Sequence, residues 1–362
     1  MRTAAELADF LPQAARRAGF DLAGIAPAAE FAEHRYFPSW IAAGRAGQMH
    51  YLAARDERNQ LKRAALASVA PWARSVIACA LNYNTAPPPA PDASPRACIS
   101  RYAWAQRDYH DVLLDALRRL DAELRAFAAA PVETRCYVDT GPLLERAFAR
   151  HAGLGWIGKN TCLINQRLGS WLFLGVILTS LELPPALPAP DRCGSCRRCL
   201  DVCPTAAFPA PYQLDASRCL SYLTIEHRGD IPEDLRPALG LHVFGCDLCQ
   251  DVCPWNRRAP ISLLPDLQPR PPLVAPDLAW LATLGEEEFR TVFRGSAVKR
   301  AKHTGLRRNA VIALGNSSDA RYAPLLAALS SDPDELVARH ARWALGRLRS
   351  LGASARPPDR QP

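Results

Sequence analysis

Seven of the twelve cysteines in this sequence fall into two runs, each of which ends in a Cys-Pro pair. The first run contains Cys193, Cys196, Cys199 and Cys203, and the second contains Cys246, Cys249 and Cys253. The first has the spacing C-x2-C-x2-C-x3-C-P, which holds a 4Fe–4S cluster in bacterial two-cluster ferredoxins. The second run lacks its first cysteine, which Cys219 upstream can supply. The spacing therefore predicts two clusters and one-electron transfer.

The last cysteine of each run is expected to bind the cluster of the other run, as in two-cluster ferredoxins. One cluster is then held by Cys193, Cys196, Cys199 and Cys253, and the other by Cys219, Cys246, Cys249 and Cys203. A structural zinc site is the alternative, because C-x2-C pairs also hold tetrahedral zinc. Paired C-x3-C-P endings have a role in the crossover and none in a zinc site, so we favour clusters.

A carboxylate at a predicted strand end is the candidate acid. Thr134–Thr140 reads as a strand and Pro142–His151 as the helix that follows, with Asp139 at the junction. Ligands bind at strand ends in α/β sheets, so Asp139 could donate a proton if burial raises its pKa. The alternative is a helix N-cap, which binds backbone N–H groups and has a lowered pKa. Glu145 is expected on a solvated helix face.

The loop Gly153–Thr161, with sequence GLGWIGKNT, contains three glycines and a lysine. Such a loop allows close approach of a ligand with anionic or amide groups. It matches neither a Walker phosphate loop nor a dinucleotide fingerprint. The corrinoid motif D-x-H-x-x-G begins at Asp108 and His110 but is not completed. A corrinoid bound by this chain would therefore lack the usual histidine loop.

Positive charge is concentrated near the end of the chain, whose net charge is +8. Between Phe289 and Ser318 there is no acidic residue, and the cations are Arg290, Arg294, Lys299, Arg300, Lys302, Arg307 and Arg308. Nucleic-acid phosphate is the favoured partner for such a strip. A solvated helix face in an arginine-rich protein is the alternative.

Composition and length restrict the class of protein. Twelve cysteines in 362 residues are too few for a disulfide scaffold, and oxygen-sensitive clusters indicate a reducing cytoplasm. The N-terminus reads as an amphipathic helix without the apolar core of a signal peptide. The longest apolar run, Trp171–Leu178, is too short to span a membrane.

The predicted elements place these motifs in three domains. Helices are expected at 1–18 and 108–128, an apolar β-type run at Val76–Tyr83 and a buried strand at Trp171–Thr179. Together they give an α/β layer domain over 1–185. Proline-rich linkers separate a ferredoxin-like module at 186–262 from a helical domain at 263–362. In the last domain, Arg308–Gly315 matches a segment 31 residues later, which predicts HEAT-like repeats.

The chain resembles the epoxyqueuosine reductase family over nearly its whole length. The matching segments are both cysteine runs, Ile99–Ala103 (ISRYA), Asp108–His110 (DYH), Asp139–Pro142 (DTGP), Gly153–Thr161, Gly169–Gly175 (GSWLFLG), Arg218–Glu226 (RCLSYLTIE), Lys299–Lys302 (KRAK) and Gly305–Ala310 (GLRRNA). The resemblance implies an α+β multidomain chain: an α/β cobalamin-binding domain like that of reductive dehalogenases, a two-cluster ferredoxin-like module and α-helical HEAT-like repeats. It also implies reduction of epoxyqueuosine to queuosine at the tRNA wobble position, with two electrons and two protons consumed and water released.

The same resemblance implies roles for individual residues. From the residues alone the N-cap interpretation of Asp139 is favoured, but the resemblance reverses this preference and implies that Asp139 is the catalytic acid. Cobalamin contacts are implied at Arg63, Tyr102, Asp139, Lys159, Asn160, Leu163, Leu174, Ser221, Tyr222 and Asp247. Contacts to tRNA are implied at Lys299, Arg300, Lys302, Arg307 and Arg308. The other implied partner is an electron donor of ferredoxin or flavodoxin type. The resemblance also implies that this chain is a monomer and does not associate with a membrane.

Two other functions fit part of these features. A cobalamin-dependent reductive dehalogenase also carries two clusters, but the missing export signal and the basic helical end argue against it. A non-catalytic electron-transfer adaptor with a nucleic-acid-binding tail would have no use for a 185-residue domain bearing a strand-end aspartate. A corrin spectrum of the reconstituted protein would distinguish the adaptor from the enzymes.

Overall fold

The structure of the chain is a computed structural model that describes residues 2–86 and 95–354. The helices are α1 (Ala4–Ala18), α2 (Ala32–Ala42), α3 (Leu66–Val69), α4 (Tyr109–Ala128), α5 (Glu145–His151), α6 (Arg198–Asp201), α7 (Leu220–Ile225), α8 (Leu248–Asp251), α9 (Leu278–Thr283), α10 (Glu286–Val292), α11 (His303–Asn316), α12 (Ala323–Leu329) and α13 (Glu335–Ser354). The strands are β1 (Leu22–Pro27), β2 (Ser75–Asn82), β3 (Cys98–Ile99), β4 (Thr134–Tyr137), β5 (Trp156–Ile157), β6 (Leu163–Ile164), β7 (Leu172–Thr179) and β8 (His242–Phe244).

The chain divides into two compact units, and each is built from separate segments. The first unit comprises Met1–Thr85, Arg107–Ser217 and Leu248–Gln268, and the second comprises Ala86–Gln106, Arg218–Asp247 and Pro269–Pro362. These units do not follow the linear order of the three predicted domains, whose boundaries stay predictions. None of the described helices is both long enough and apolar enough to span a bilayer.

A four-stranded sheet with the order β1-β2-β7-β4 forms the centre of the first unit. All three pairings are antiparallel, and every residue of β2 is buried. The apolar β-type run at Val76–Tyr83 corresponds to β2 and the predicted buried strand at Trp171–Thr179 to β7, and both strand predictions are confirmed. The strand-end rule used for Asp139 applies to parallel sheets, so the antiparallel sheet removes that support.

Helices α1 and α4 follow the predicted helical spacing, and α4 buries its apolar face in the first unit. A capping box between Thr3 and Glu6 fixes the start of α1. α4 packs against β7 at Gly175, where an added Cβ would lie 2.9 Å from the Leu117 side chain. The missing side chain therefore lets α4 approach the sheet closely, which sets the position of the first turn of α4.

The second unit is mainly helical and has its own core. Helix α11 packs against both α13 and α9, and the short strands β3 and β8 pair in parallel at one side. Three polar side chains of this unit, Arg308, Asn309 and His340, are fully buried. Asn309 donates to the carbonyl oxygens of Thr224 and Val243, which fastens α11 to α7 and β8.

Candidate active site

The loop that carries Asp139 is bent and exposed. Strand β4 ends at Tyr137, three residues earlier than predicted, and Asp139 takes a left-handed backbone conformation with φ 55°. The buried guanidinium of Arg63 donates to the Gly141 carbonyl oxygen at 2.9 Å and holds the following turn. The Asp139 side chain keeps 66% of its surface accessible, so a substrate can reach its carboxylate.

The first turn of α4 supplies two partners for this carboxylate. The Tyr109 hydroxyl donates to Oδ2 of Asp139 at 2.8 Å, and Nε2 of His110 lies 3.5 Å from the same oxygen. The other ring nitrogen of His110, Nδ1, lies 2.7 Å from Oδ1 of Asp108. The Tyr109 ring stacks on Phe173 of β7 with 4.4 Å between centroids. The sheet therefore positions Tyr109, and Tyr109 and His110 orient Asp139.

Electrostatics at this site place the proton on histidine. Burial disfavours the charged His110 ring, but its bonds to the carboxylates of Asp108 and Asp139 outweigh burial and raise its pKa to about 9. The bond from His110 lowers the pKa of Asp139 and outweighs the opposing effect of desolvation. The expectation of a raised pKa for Asp139 is therefore wrong for this structure. At neutral pH an imidazolium faces an ionised Asp139.

The N-cap alternative for Asp139 is also wrong. Helix α5 starts at Glu145 rather than at Pro142, its N-cap is Leu144, and no side chain caps it. Glu145 does not lie on a solvated face as expected. Burial raises its pKa to about 7, and its Oε1 has no hydrogen-bond partner among the described residues.

Four of the predicted cluster ligands lie in the first unit and influence one another. Burial, followed by the neighbouring thiols of Cys193, Cys253 and Cys196, raises the pKa of Cys199 to about 11. Cys253 packs with Trp156 of β5 in a small buried cluster. Of the remaining predicted ligands, Cys203 and Cys249 belong to the first unit, whereas Cys219 and Cys246 belong to the second.

The glycine-rich loop contacts the cysteine runs within the first unit. The ammonium group of Lys159 donates to the carbonyl oxygens of Gly194 and Cys196 at 2.6 and 2.9 Å. The amide of Asn160 donates to the Cys249 carbonyl oxygen. Lys159 and Asn160 thus support the cysteine loops in this structure, and their contacts to cobalamin stay predictions.

The other implied cobalamin contacts are spread over both units. Leu163 on β6 is buried and Leu174 on β7 is half-buried, both in the first unit. In the second unit, Tyr102 lies against Phe244, and Ser221 and Tyr222 are on α7. Asp247 accepts hydrogen bonds from the Ser100 hydroxyl and the Arg101 backbone, while burial raises its pKa. None of these contacts is tested, and all stay predictions.

The cationic strip is less exposed than the sequence indicates. The guanidinium of Arg308 is fully buried and donates to the carbonyl oxygens of Leu223, His227 and Gly229. The structure therefore contradicts a phosphate contact for Arg308. Arg307 keeps 12% of its side chain exposed and pairs with Asp332, so little of it can reach a phosphate.

The exposed cations of the strip are Arg290 on α10, Arg294 just after it, and three more before α11. Lys299, Arg300 and Lys302 are exposed around the turn that leads into α11. Arg300 is bound by both oxygens of Glu226, at 2.9 and 3.1 Å. Lys299 and Lys302 are thus the members of this turn that are best placed for phosphate.

Tyr109 and His110 are site residues that the sequence alone does not identify. A signal exists, because the Asp108-Tyr109-His110 triplet lies at the start of a clear amphipathic helix. In the sequence, however, the triplet resembles only an incomplete corrinoid motif, and the proximity of residues 110 and 139 requires the folded chain. For Glu145, the sequence indicates only a helical position and gives no sign that its carboxyl group is buried.

Two family models match the chain. Residues 63–140 match "Epoxyqueuosine reductase QueG, DUF1730", and residues 192–256 match "4Fe-4S double cluster binding domain". The second match covers all eight predicted ligand cysteines and favours clusters over zinc.

Curated proteins and solved structures agree with the first model. The chain is 42% identical to the epoxyqueuosine reductase of Pseudomonas aeruginosa over 95% of both chains. A crystal structure of epoxyqueuosine reductase with an epoxyqueuosine-modified tRNA-Tyr stem loop superposes with a TM-score of 0.86, at 31% identity, over 99% of this chain and 96% of that one.

A Bacillus subtilis epoxyqueuosine reductase, whose catalytic aspartate loop is swung out of the active site, superposes with a TM-score of 0.86. It is 32% identical and covers 96% of this chain and 91% of its own. This chain is thus more than 30% identical to the Pseudomonas relative over nearly its full length, and it has the same fold as both solved structures. The chain therefore belongs to the epoxyqueuosine reductase family.

Proposed function

We propose that this chain is an oxidoreductase that converts epoxyqueuosine in tRNA to queuosine, with cobalamin and two 4Fe–4S clusters as its cofactors. The observation that carries the proposal is 42% identity to an epoxyqueuosine reductase over 95% of both chains. In the reaction the two C–O bonds of the epoxide break, an alkene forms, and two electrons and two protons convert the oxygen to water.

The chain's own residues supply and direct a proton in this reaction. His110 holds the proton on Nε2 at neutral pH because two carboxylates flank its ring. Asp139 lies between this imidazolium and solvent, so its carboxylate can relay a proton from His110 to the epoxide oxygen in one concerted step, as negative charge develops on that oxygen. The Tyr109 hydroxyl fixes the carboxylate orientation through its bond to Oδ2. Asp139 is thus the proposed terminal donor, and His110 is its proton source.

The donor atoms of the chain fit the implied cofactors. Eight cysteines within the double-cluster match provide four thiolates for each of two 4Fe–4S clusters. The unsatisfied Oε1 of Glu145 is an acceptor that a peripheral amide of a corrin ring could satisfy. Bound cobalamin supplies a reduced cobalt, which the clusters can recharge one electron at a time. We infer that Arg63 and Asp139, which both lie in the first unit, contact the bound cobalamin.

The structure supports the proposed ligand assignment for one of the two clusters. The thiols of Cys193, Cys196, Cys199 and Cys253 act electrostatically on one another within the first unit. This grouping is the one that crossed ligation requires, because Cys253 comes from the second run. We assign the second cluster to Cys203, Cys219, Cys246 and Cys249 on the cysteine spacing alone.

The direct test of the proposed function is a reconstitution assay. Protein purified without oxygen and loaded with iron, sulfide and cobalamin should convert epoxyqueuosine in a tRNA anticodon stem loop to queuosine under dithionite. Mass spectrometry of the digested RNA should show the loss of one oxygen atom. Protein that carries both cofactors and leaves the epoxide intact would contradict the proposal.

We also infer that Lys299 and Lys302 bind tRNA phosphates. Replacing both by alanine should weaken binding of the tRNA stem loop and reduce the slope of log affinity against log salt, by about one unit for each phosphate that is no longer bound. The matched control is the double substitution Arg342→Ala and Arg349→Ala, which removes two exposed cations of α13. The control should change affinity little. Equal effects of both double variants would contradict a local binding site.

We also propose HEAT-like repeats in the C-terminal helices, a cytoplasmic location and a carrier protein as electron donor. The matching segments Arg308–Gly315 and Arg339–Gly346 lie on α11 and α13, and these helices pack closely where an added Cβ on Gly315 would lie 2.6 Å from the Ala344 Cβ. This supports a small HEAT-like pair. A tRNA substrate and oxygen-sensitive clusters support a cytoplasmic location. We further propose that the chain is a monomer and that a ferredoxin or flavodoxin supplies its electrons.

A further inference from the structure

A basic and apolar surface lies next to Cys253 in the first unit. Cys253 is followed by a single 3-10 turn in which the Asn256 N–H donates to the Cys253 carbonyl oxygen at 3.0 Å. Arg257 and Arg258 come directly after this turn, and both are exposed. Two cations are therefore fixed within a few residues of a predicted cluster ligand.

A second segment packs against the same turn and adds another cation. Asn256 accepts from the Ser170 N–H at 2.7 Å, and a Cβ on Gly169 would lie 3.1 Å from the Ala259 side chain. Arg167, which is exposed, lies in the turn before Gly169. The close approach at Gly169 thus brings Arg167 to the segment that carries Arg257 and Arg258.

Large apolar side chains are exposed on the same segment. Ile261 keeps 48% and Leu263 84% of its surface accessible, although the Ser262 N–H between them is held at 2.7 Å by the Asn84 carbonyl oxygen. The segment 252–265 contains no carboxylate, and it is flanked by Asp251 and by Asp266, which pairs with Arg107. Exposed apolar groups beside unbalanced cations are typical of a protein-binding surface.

We propose that Arg167, Arg257, Arg258, Ile261 and Leu263 form the docking surface for an acidic one-electron carrier protein that reduces the cluster bound by Cys253. The inference rests on the proposed function, because that function requires an external electron source. In the step, a flavodoxin hydroquinone is oxidised to the semiquinone and the oxidised cluster gains one electron. Weak electron-transfer complexes have small interfaces and depend on charge for fast association.

RNA is the other anionic partner, and the composition of the surface favours protein. Phosphate groups would use the three arginines but would gain nothing from Ile261 and Leu263. A carrier with carboxylates around an apolar centre would use both kinds of group. The short path along the chain from Cys253 also gives this position a function in electron transfer that an RNA contact would not need.

The test uses the cofactor-loaded protein and a flavodoxin in two states. Arg257→Glu with Arg258→Glu should lower the second-order rate of cluster reduction by flavodoxin hydroquinone by about 10-fold or more at low salt. Cluster bleaching measures this rate. Calorimetry with oxidised flavodoxin should show weaker binding, and the salt dependence of both quantities should decrease.

The matched control is Arg16→Glu with Arg118→Glu, which makes the same charge change at two exposed sites on α1 and α4. It should lower the flavodoxin rate much less than the Arg257/Arg258 variant when both are compared at an ionic strength of about 0.15 M, where the Debye length is about 8 Å and only charges close to the docked carrier act on it. Dithionite-driven turnover and tRNA affinity should be unchanged in the Arg257/Arg258 variant. Unchanged flavodoxin rates, an equal loss in the control, or a fall in tRNA affinity would each overturn the docking proposal. Absence of dithionite-driven turnover in the wild type would instead count against the proposed function.

Discussion

Asp139→Asn should lower the turnover of epoxyqueuosine by about 10²-fold or more, which is the usual contribution of general acid catalysis. Asparagine retains the shape of the side chain and can still accept from the Tyr109 hydroxyl, but it cannot pass on the proton held by His110. Binding of cobalamin, clusters and tRNA should be retained, because the carboxylate is exposed and does not cap a helix. Single-turnover conversion, measured beside cofactor content, checks this expectation.

The same variant tests the proton source independently of activity. Loss of the Asp139 charge should lower the pKa of His110 from about 9 towards its usual value, which an NMR titration of the ring measures. In the wild type, the contribution of the charged ring to stability is complete below its usual pKa of about 6.5 and is lost as pH rises through about 9. A near-normal rate with asparagine would show that another group is the acid. An unchanged His110 titration would show that the two side chains do not interact.

Arg308→Ala should lower the free energy of unfolding by about 3 kcal/mol or more, because buried carbonyl groups lose their donor and a cavity remains. The guanidinium is fully buried and donates to three main-chain carbonyl oxygens, those of Leu223, His227 and Gly229. Urea unfolding of the cofactor-loaded protein, followed by circular dichroism, measures the effect. The tRNA affinity of the variant, measured where it is still folded, should be near that of the wild type.

Arg339→Ala is the control given by the internal repeat. Arg339 occupies the position on α13 that matches Arg308 on α11, but 49% of its side chain is exposed and it pairs with Asp230. An exposed pair contributes about 0–1 kcal/mol, so this variant should remain close to the wild type in stability. If Arg308→Ala weakened tRNA binding and left stability unchanged, the structural role assigned to Arg308 would be wrong.

The sequence predicts the elements whose pattern is local. The apolar runs of β2 and β7 and the helical spacing of α4 identify these elements to within one or two residues. The cysteine spacing likewise identifies the cluster module, because the ligands of a cluster are fixed by short intervals along the chain. β1 is not predicted, since its short sequence, LAGIAP, lacks the alternation of a typical strand and contains only one β-branched residue, Ile25.

Features that depend on contacts between distant segments could not be predicted. The backbone bend at Asp139 is stabilised by partners from α4 and by Arg63, and no local pattern announces them. The lowered pKa of Asp139 follows from His110, which lies far earlier in the chain. The prediction that Arg308 contacts a phosphate is wrong for a related reason. Charge counted along a sequence does not distinguish the buried side of a helix from its exposed side.

The strand order β1-β2-β7-β4 has a consequence for the order of events during synthesis. All four strands lie before residue 180, whereas the eight predicted cluster ligands all lie after residue 192. Domains that emerge first from the ribosome generally fold first. The sheet can therefore pair while the cysteines are still being translated. The strands that carry Trp156 and Ile164, against which Cys253 packs, would then be folded before iron and sulfide are inserted. Cluster insertion would then take place on a sheet and loops that are already folded.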